Sequence, residues 1–170
     1  MARFDRIFES VIDIEGKYSN HPADSGGKTK YGITEQTARR NGYEGDIREL
    51  PKKKAKSIYL NEYWLEPQFD KIREYSVAQE LFEQGVNLGT QQATKNLQKS
   101  INLVCDKRLI TDGIIGPKTL KAYNKCQHKD DIYTMLNMLQ ARRYIEITEN
   151  NPRQRVFLRG WLRRITINKE

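Results

Sequence analysis

Two acidic side chains near the N-terminus have the spacing expected of a glycosidase pair. Glu15 ends an apolar-periodic segment, and Asp24 follows inside the glycine-rich turn Asp-Ser-Gly-Gly. Hydrolysis of a glycosidic bond commonly uses two carboxyl groups, one protonated to help the leaving oxygen depart and the other ionised. The spacing predicts Glu15 as the general acid and Asp24 as the group that orients water or stabilises the cationic sugar.

The predicted surroundings of the two acids separate their pKa values. Apolar residues before Glu15 recur at helical spacing and predict a buried helix that Gly16 ends: Phe4, Ile7, Phe8, Val11, Ile12 and Ile14. An acid on the last turn of such a helix lies at the negative end of its dipole, which raises the pKa. Asp24 lies beside exposed backbone N–H groups, which favour its charged form. An ordinary helix end followed by an ordinary turn would show the same residues, so that interpretation stays open.

Length and composition describe a globular protein with a real core. The chain has 170 residues, of which 37% are hydrophobic and 31% charged, and no apolar run is long enough to span a bilayer. Asp5 and Glu9 lie within the first apolar helix, so we expect no secretory signal there and predict synthesis in the cytoplasm.

The net charge of +8 lies entirely in the second half. Residues 1–88 carry 14 Lys and Arg against 15 Asp and Glu, whereas residues 89–170 carry 16 against 7. Such a basic half would attract wall polymers, the acidic peptides of peptidoglycan, anionic lipid or nucleic acid, and charge alone does not choose among them.

The cysteines and histidines predict no metal centre. Cys105 and Cys126 have no metal-ligand spacing with His21 or His128. We expect no zinc and no organic cofactor. Both thiols are predicted to be reduced, with a bond formed later in the periplasm as the alternative.

The rest of the pattern predicts a helical protein with a small hairpin over residues 26–33. Thr34 caps a helix that runs to about Arg40, Pro51 begins the next, and Ser76 begins one that Gly89 closes. A helix follows from Thr90, and its pattern breaks at Asp106. Asp112-Gly113 forms a turn with Ile114 and Ile115 buried, and Pro117 starts a helix. The last two helices span about 130–148, with Ile145 on the apolar side, and the residues after Pro152.

The segment from Glu15 to Thr34 closely resembles the E-G-G-Y…P-x-D-x-G-G-x-T-x-x-G-I-T motif of glycoside hydrolase family 108, the phage-type N-acetylmuramidases. Lys17 replaces the second glycine. The matching positions are Glu15, Gly16, Tyr18, Pro22, Asp24, Gly26, Gly27, Thr29, Gly32, Ile33 and Thr34. The resemblance implies that Glu15 is the essential acid and that Asp24 and Thr29 position water. A turn hydroxyl that satisfies the backbone is the alternative for Thr29.

Later segments extend the resemblance. Ala55, Ile58, Tyr59, Tyr63 and Trp64 follow the family's A-x-x-I-Y…Y-W pattern. LFEQGVNLG resembles its F-D-x-x-V-N-x-G pattern, with Glu83 in place of the usual Asp. DGIIGPKT resembles peptidoglycan-binding modules. Together with the first motif, which contains Tyr18 and Tyr31, the resemblance implies substrate contacts by Tyr18, Tyr31, Trp64 and Asn87. Burial in the core is the alternative for Trp64, and capping of backbone is the alternative for Asn87.

The resemblance implies a mostly α, lysozyme-like fold with a β-hairpin beside the active site. We expect a muramidase lobe over 1–89 and a helical peptidoglycan-binding-like lobe over 90–170, packed as one body. The expected protein is a monomeric endolysin that acts on peptidoglycan in the periplasm after the membrane is permeabilised. The implied reaction is hydrolysis of the β-1,4 bond between N-acetylmuramic acid and N-acetylglucosamine.

Three alternatives remain at the level of sequence. A lytic transglycosylase also uses a glutamate but leaves anhydro-muramyl ends. A basic wall-binding module would have no activity at all. The basic amphipathic helix after Pro152 would lie on anionic outer-membrane lipid if its apolar side were not packed in the core. No nucleic acid partner is expected.

Overall fold

The computed structural model describes residues 2–15, Tyr18 and residues 27–165, with the backbone alone for residues 13–15. Contacts divide the chain into two compact units, Met1–Glu66 and Pro67–Glu170. The described residues are mostly helical and include one two-stranded antiparallel sheet. The predicted fold class, a mostly α lysozyme-like protein with a small hairpin, is confirmed.

The first unit places a hairpin between helices. Its elements are α1 (Ala2–Glu15), β1 (Thr29–Lys30), β2 (Ile33–Thr34), α2 (Glu35–Arg40), a 3₁₀ turn (Ile47–Glu49) and α3 (Lys52–Ile58), which continues as a π-helix (Tyr59–Leu65). The predicted cap at Thr34 is confirmed, since its hydroxyl oxygen accepts from the Thr37 N–H at 3.0 Å. The predicted apolar face of α1 is buried at Phe4, Ile7, Phe8, Val11 and Ile12, and the side chain of Ile14 lies outside the described residues.

The second unit is built on three long helices. Its elements are a 3₁₀ turn (Phe69–Lys71), α4 (Tyr75–Leu88), α5 (Thr90–Val104), α6 (Pro117–Lys125), α7 (Lys129–Asn150), a 3₁₀ turn (Pro152–Gln154) and α8 (Arg155–Leu162). Helices α4, α5 and α7 pack on one another. Gly89 separates α4 from α5 with φ +88° and ψ 143°, a backbone conformation that only glycine adopts readily.

The division into functional lobes at 1–89 and 90–170 stays a prediction. The two compact units meet in sequence at residues 66 and 67. Helix α4, which the predicted first lobe includes, packs on α5 and α7 within the second unit.

Two isoleucines predicted to be buried are exposed. Ile114 is 66% exposed, because its N–H donates to Asp112 and its carbonyl accepts from Gln98, which turns the side chain outward. Ile115 beside it is buried as predicted. Ile145 is 51% exposed, because Tyr144 and Thr148 take the buried face of α7 instead.

The prediction of reduced cysteines is wrong, and the structure shows the alternative, a bond between the two. Cys105 and Cys126 form a disulfide that joins the C-terminal end of α5 to that of α6. Their Cα atoms lie 5.7 Å apart, within the range that a disulfide spans. A separation of 21 residues gives no hint of this proximity, which arises from the turn between the two helices.

Helix α8 packs by one side only. The Trp161 ring stacks on Tyr144 with centroids 5.1 Å apart, and Phe157 lies 6.0 Å from Trp161. Val156 and Leu162 remain 62% and 49% exposed. The packing interpretation is therefore correct for Trp161 but does not cover the whole apolar side. Among the described helices, none combines the length and apolar character that crossing a bilayer requires.

Candidate active site

The helix that carries Glu15 is anchored along its buried face. The Phe4 ring lies 6.0 Å from Trp64, and the Phe8 ring lies 5.8 Å from Tyr59. Arg3 adds a cation–π contact, with its guanidinium carbon 5.5 Å from the Trp64 ring. These contacts fix the first two turns of α1 on the π-helical segment.

Two ion pairs hold α1 from its exposed side. Lys52 binds Glu9 at 2.5 Å, and Lys56 binds Asp5 at 2.8 Å. The lysine-rich start of α3 is thus partly paired with α1 as well as solvated. Exposed pairs of this kind contribute little stability individually, so their main effect is to align α1 with α3.

The hairpin that follows the glycine-rich turn is short and tightly closed. Thr29 pairs with Thr34 and Lys30 with Ile33, and Tyr31 and Gly32 form the two-residue loop. Both loop residues have positive φ, 53° and 71°, the combination of a type I′ hairpin turn. Tyrosine rarely adopts this backbone, so neighbouring contacts must stabilise it.

Tyr59 supplies that stabilisation. Its hydroxyl donates a hydrogen bond of 2.8 Å to the carbonyl oxygen of Tyr31, while its ring packs on Phe8 of α1. Tyr59 is 1% exposed, so the hydrogen bond is shielded from water. One buried residue therefore ties together the helix that ends at Glu15 and the hairpin that begins at Thr29.

A charged cluster lies near the described ends of the glycine-rich segment. Arg48 binds Asp46 through both carboxylate oxygens, and this pair lowers the pKa of Asp46 to about 2. Lys28 acts on the same carboxylate, and Tyr18 acts on Arg48 electrostatically. Residues on either side of the segment that contains Asp24 thus approach one Asp–Arg pair.

The predicted catalytic residues are described unequally. The backbone of Glu15 ends α1, its side chain lies outside the described residues, and so does all of Asp24. Thr29 is half-buried in β1, in register with Thr34. The catalytic assignment of these residues stays a prediction.

The predicted substrate contacts in the first unit differ in exposure. Tyr18 is 37% exposed, whereas Trp64 is 4% exposed and packs on Phe4. Tyr31 is half-buried, with the Lys30 ammonium 5.1 Å from its ring. The Tyr18 ring is thus exposed enough to stack on a sugar. The Trp64 ring could do so only if it became accessible. All three assignments stay predictions.

Asn87 lies in the second unit, where both ends of its amide are engaged. Its Nδ2 donates to the Glu83 carbonyl oxygen at 2.8 Å, and its Oδ1 accepts from Arg164 at 2.5 Å. These bonds link the end of α4 to the residues after α8. A substrate contact by Asn87 remains a prediction, and its described partners are protein groups.

A buried polar cluster in the second unit was not predicted. Glu80 is 4% exposed, and burial raises the pKa of its carboxyl to about 7. Gln84 donates to Glu80 at 2.8 Å and to the Leu136 carbonyl oxygen at 2.9 Å, while Asn96 donates to Gln84. The i, i+4 spacing of Glu80 and Gln84 beside buried Val77 and Leu81 is the signal that would have revealed it.

No group of three His, Cys, Asp or Glu side chains within the described part of the chain is placed to hold a metal ion. The described first unit presents a helix that ends in an acid, a hairpin that begins with a threonine, and an exposed tyrosine between them in sequence.

Comparisons of the sequence and the structure with known proteins find two matching families and a similar solved structure. Residues 8–89 match the family described as Glycosyl hydrolase 108, and residues 92–166 match the family described as Predicted Peptidoglycan domain. The solved structure entitled "Structure of Brucella abortus SagA" is 29% identical, with a TM-score of 0.79 over 95% of this chain and 88% of that one. A comparison with curated proteins finds no match.

Proposed function

The chain belongs to glycoside hydrolase family 108 and carries a peptidoglycan-binding module, and we propose that it hydrolyses the bond between N-acetylmuramic acid and N-acetylglucosamine. It is a glycoside hydrolase of the cell-wall type. The choice of the β-1,4 bond and the roles of individual residues are the proposal.

The observation that carries the proposal is the common anchoring of two catalytic elements by Tyr59. In the proposed reaction Glu15 protonates the glycosidic oxygen as an oxocarbenium-like sugar develops, and Asp24 orients water or stabilises the positive charge. Thr29 assists from the first strand of the hairpin. Because the Tyr59 ring packs on α1 and its hydroxyl binds the hairpin turn, the two elements keep a fixed relation.

Analysis of product ends tests the bond and the reaction class together. Purified protein is incubated with peptidoglycan sacculi, and the soluble fragments are examined by mass spectrometry before and after borohydride reduction. Reducing N-acetylmuramic acid ends are expected. Anhydro-muramyl ends, lighter by one water, would identify a lytic transglycosylase, and reducing N-acetylglucosamine ends would place the cut at the other bond.

The same proposal includes a setting. We propose that the protein is a phage-type endolysin, made in the host cytoplasm, that reaches the periplasm once a separate protein permeabilises the membrane. Support comes from the resemblance of its motifs to phage enzymes. Expression alone should leave cells intact, and co-expression with a membrane-permeabilising protein should lyse them. Lysis on expression alone would contradict this route.

Helix α8 supports a second contact, with anionic lipid. Val156 and Leu162 are exposed on this helix, and so are Arg155 and Arg159 in the helix and Arg163 directly after it. We expect the Glu15→Gln protein to release dye from vesicles that contain anionic lipid, and the Val156→Ser/Leu162→Ser variant to release less. Equal leakage by both would contradict the proposal.

The protein itself is proposed to be a monomer, which light scattering checks.

A further inference from the structure

A polar pocket of about 220 Å³ lies in the second unit, between α5 and α7. Its walls include Lys95 and Lys99 of α5, Arg142, Arg143 and Glu146 of α7, and Thr111 from the segment before α6. We infer that this pocket binds the peptide stem of peptidoglycan, through the carboxylates of the stem and its free ammonium. The inference rests on the proposed function and deepens it.

The pocket walls carry four cationic side chains, those of Lys95, Lys99, Arg142 and Arg143, against one acid, Glu146. Lys95 and Lys99 lie one helical turn apart, an arrangement of like charges that destabilises a helix. Within the described residues neither lysine forms an ion pair with an acid. Lys95 attracts the Asp112 carboxylate electrostatically, and the Oδ1 of that carboxylate already accepts hydrogen bonds from Gln98 and the Ile114 N–H. An anionic ligand would relieve the repulsion.

The opposite wall presents arginines held in position by one acid. Arg142 binds Glu146 at 2.8 Å, and Arg143 approaches the other carboxylate oxygen at 3.5 Å. The Arg142 hydrogen bond lowers the pKa of Glu146, so this carboxylate is ionised at neutral pH. Each guanidinium has five N–H donors, so donors remain for a ligand carboxylate, which matches the fork geometry.

This charge pattern favours a peptide stem over other anions of the wall. A stem that contains diaminopimelate carries several carboxylates and one free ammonium, which complement the cationic walls and Glu146 respectively. Thr111 adds an exposed hydroxyl that can bond a peptide amide. A phosphate polymer or an anionic lipid headgroup without an amine would match the cations but offer no cation to Glu146, so it would complement the pocket less fully. The pocket is also smaller than sites of about 300–1,000 Å³ that enclose whole ligands, so it suits one end of a stem.

Calorimetry with a soluble stem tests the inference. The probe is N-acetylmuramyl-tripeptide that ends in diaminopimelate. We expect Lys95→Ala/Lys99→Ala to weaken its binding about tenfold. The matched control is Lys118→Ala/Lys121→Ala, which removes the same charge from exposed positions of α6 outside this pocket. Equal affinity in all three proteins would overturn the inference.

The role of Glu146 gives a result that a generic anion site would not. Glu146→Gln should weaken binding of the tripeptide with a free ammonium. It should change binding of the same tripeptide with that amine acetylated much less, because this ligand offers no ammonium to Glu146 and the glutamine oxygen can still accept from Arg142. If both ligands bind the variant more tightly, or if inorganic phosphate or phosphatidylglycerol vesicles compete equally well, the pocket is not a stem site.

Activity on two substrates separates this inference from the proposed function. Lys95→Ala/Lys99→Ala should cleave glycan strands stripped of peptides at the wild-type rate and intact sacculi more slowly at low substrate concentration. Equal loss on both substrates would contradict a stem site. Failure of the wild-type protein to release muramyl ends from either substrate would refute the proposed function, whereas tripeptide binding would still report on the pocket.

Discussion

The Tyr59 hydroxyl donates a 2.8 Å hydrogen bond to the carbonyl oxygen of Tyr31, a residue whose backbone has φ 53°. The Tyr59 ring at the same time packs against Phe8 of α1. A single buried tyrosine thus holds the tip of the hairpin in an unusual conformation and orients it relative to the helix that ends at Glu15.

Replacement of Tyr59 by phenylalanine should therefore reduce both stability and activity. The ring contacts remain, but the Tyr31 carbonyl loses its shielded donor, which costs about 1–3 kcal/mol in the free energy of unfolding. Urea unfolding and the rate of sacculus hydrolysis measure the two effects. The control is Tyr43→Phe, which removes an exposed hydroxyl bond to the Asp46 carbonyl. Similar small effects for both variants would refute a special role for Tyr59.

Glu80 should make stability depend on pH. Burial raises its pKa from 4.5 to about 7 in the folded protein. The folded state therefore holds the proton more tightly, and the stability this gives is complete below pH 4.5 and lost as pH rises through about 7. The loss is about 3 kcal/mol at most, from roughly 1.4 kcal/mol for each pKa unit.

Glu80→Gln should remove that dependence, since the amide carries no charge at any pH. Urea unfolding at several pH values between 4.5 and 8 measures the slope, and the variant should exceed the wild type in stability at pH 8. The same substitution at exposed Glu149 is the control and should retain the wild-type slope. A Glu80→Gln protein that follows the wild-type curve would show that Glu80 does not titrate in this range.

The disulfide should stabilise the second unit. Cys105 and Cys126 close a loop of 21 residues that contains the Asp112-Gly113 turn, and such bonds typically contribute about 2–4 kcal/mol. We expect the Cys105→Ser/Cys126→Ser variant to unfold at a lower urea concentration than the wild type. Reductant should lower the urea concentration of unfolding for the wild type and leave that of the variant unchanged. Mass spectrometry checks that reductant has broken the bond in the wild type. If the reduced wild type still unfolds at the same urea concentration as the oxidised one, this expectation is contradicted.

Gly89 should be intolerant of substitution because of its backbone alone. A Cβ at this position would meet no atom within 4 Å, but φ is +88°. Gly89→Ala should therefore cost about 1–3 kcal/mol of stability without a steric clash. Gly160→Ala, in the interior of α8 and also in open space, is the matched control and should be neutral or stabilising. Thermal unfolding of both variants decides, and equal melting temperatures would refute the argument.

Local signals predicted the helices and turns well, because their causes are local. Thr34 caps α2, Gly89 ends α4 and Pro117 begins α6, each through a preference of its own backbone or side chain. Ile114 and Ile145 were misplaced because hydrophobicity alone does not show how a turn or a helix face is rotated.

The features missed by sequence depend on packing between distant residues. The Cys105–Cys126 bond requires the ends of α5 and α6 to meet. Asn96 reaches Gln84 only because α4 and α5 pack together, and this contact helps to bury Glu80. The motif around Glu15 indicated the candidate site because those residues are close in sequence.

The central claim is tested most directly by the rate at which the Glu15→Gln protein releases reducing muramyl ends, compared with the wild type. General acid catalysis typically contributes about 10²–10⁴-fold, so turnover of sacculi should fall by that factor while far-ultraviolet circular dichroism and melting temperature stay those of the wild type. A folded Glu15→Gln protein that retains most of its turnover would contradict the account, because no proton donor at the end of α1 would then be needed for cleavage.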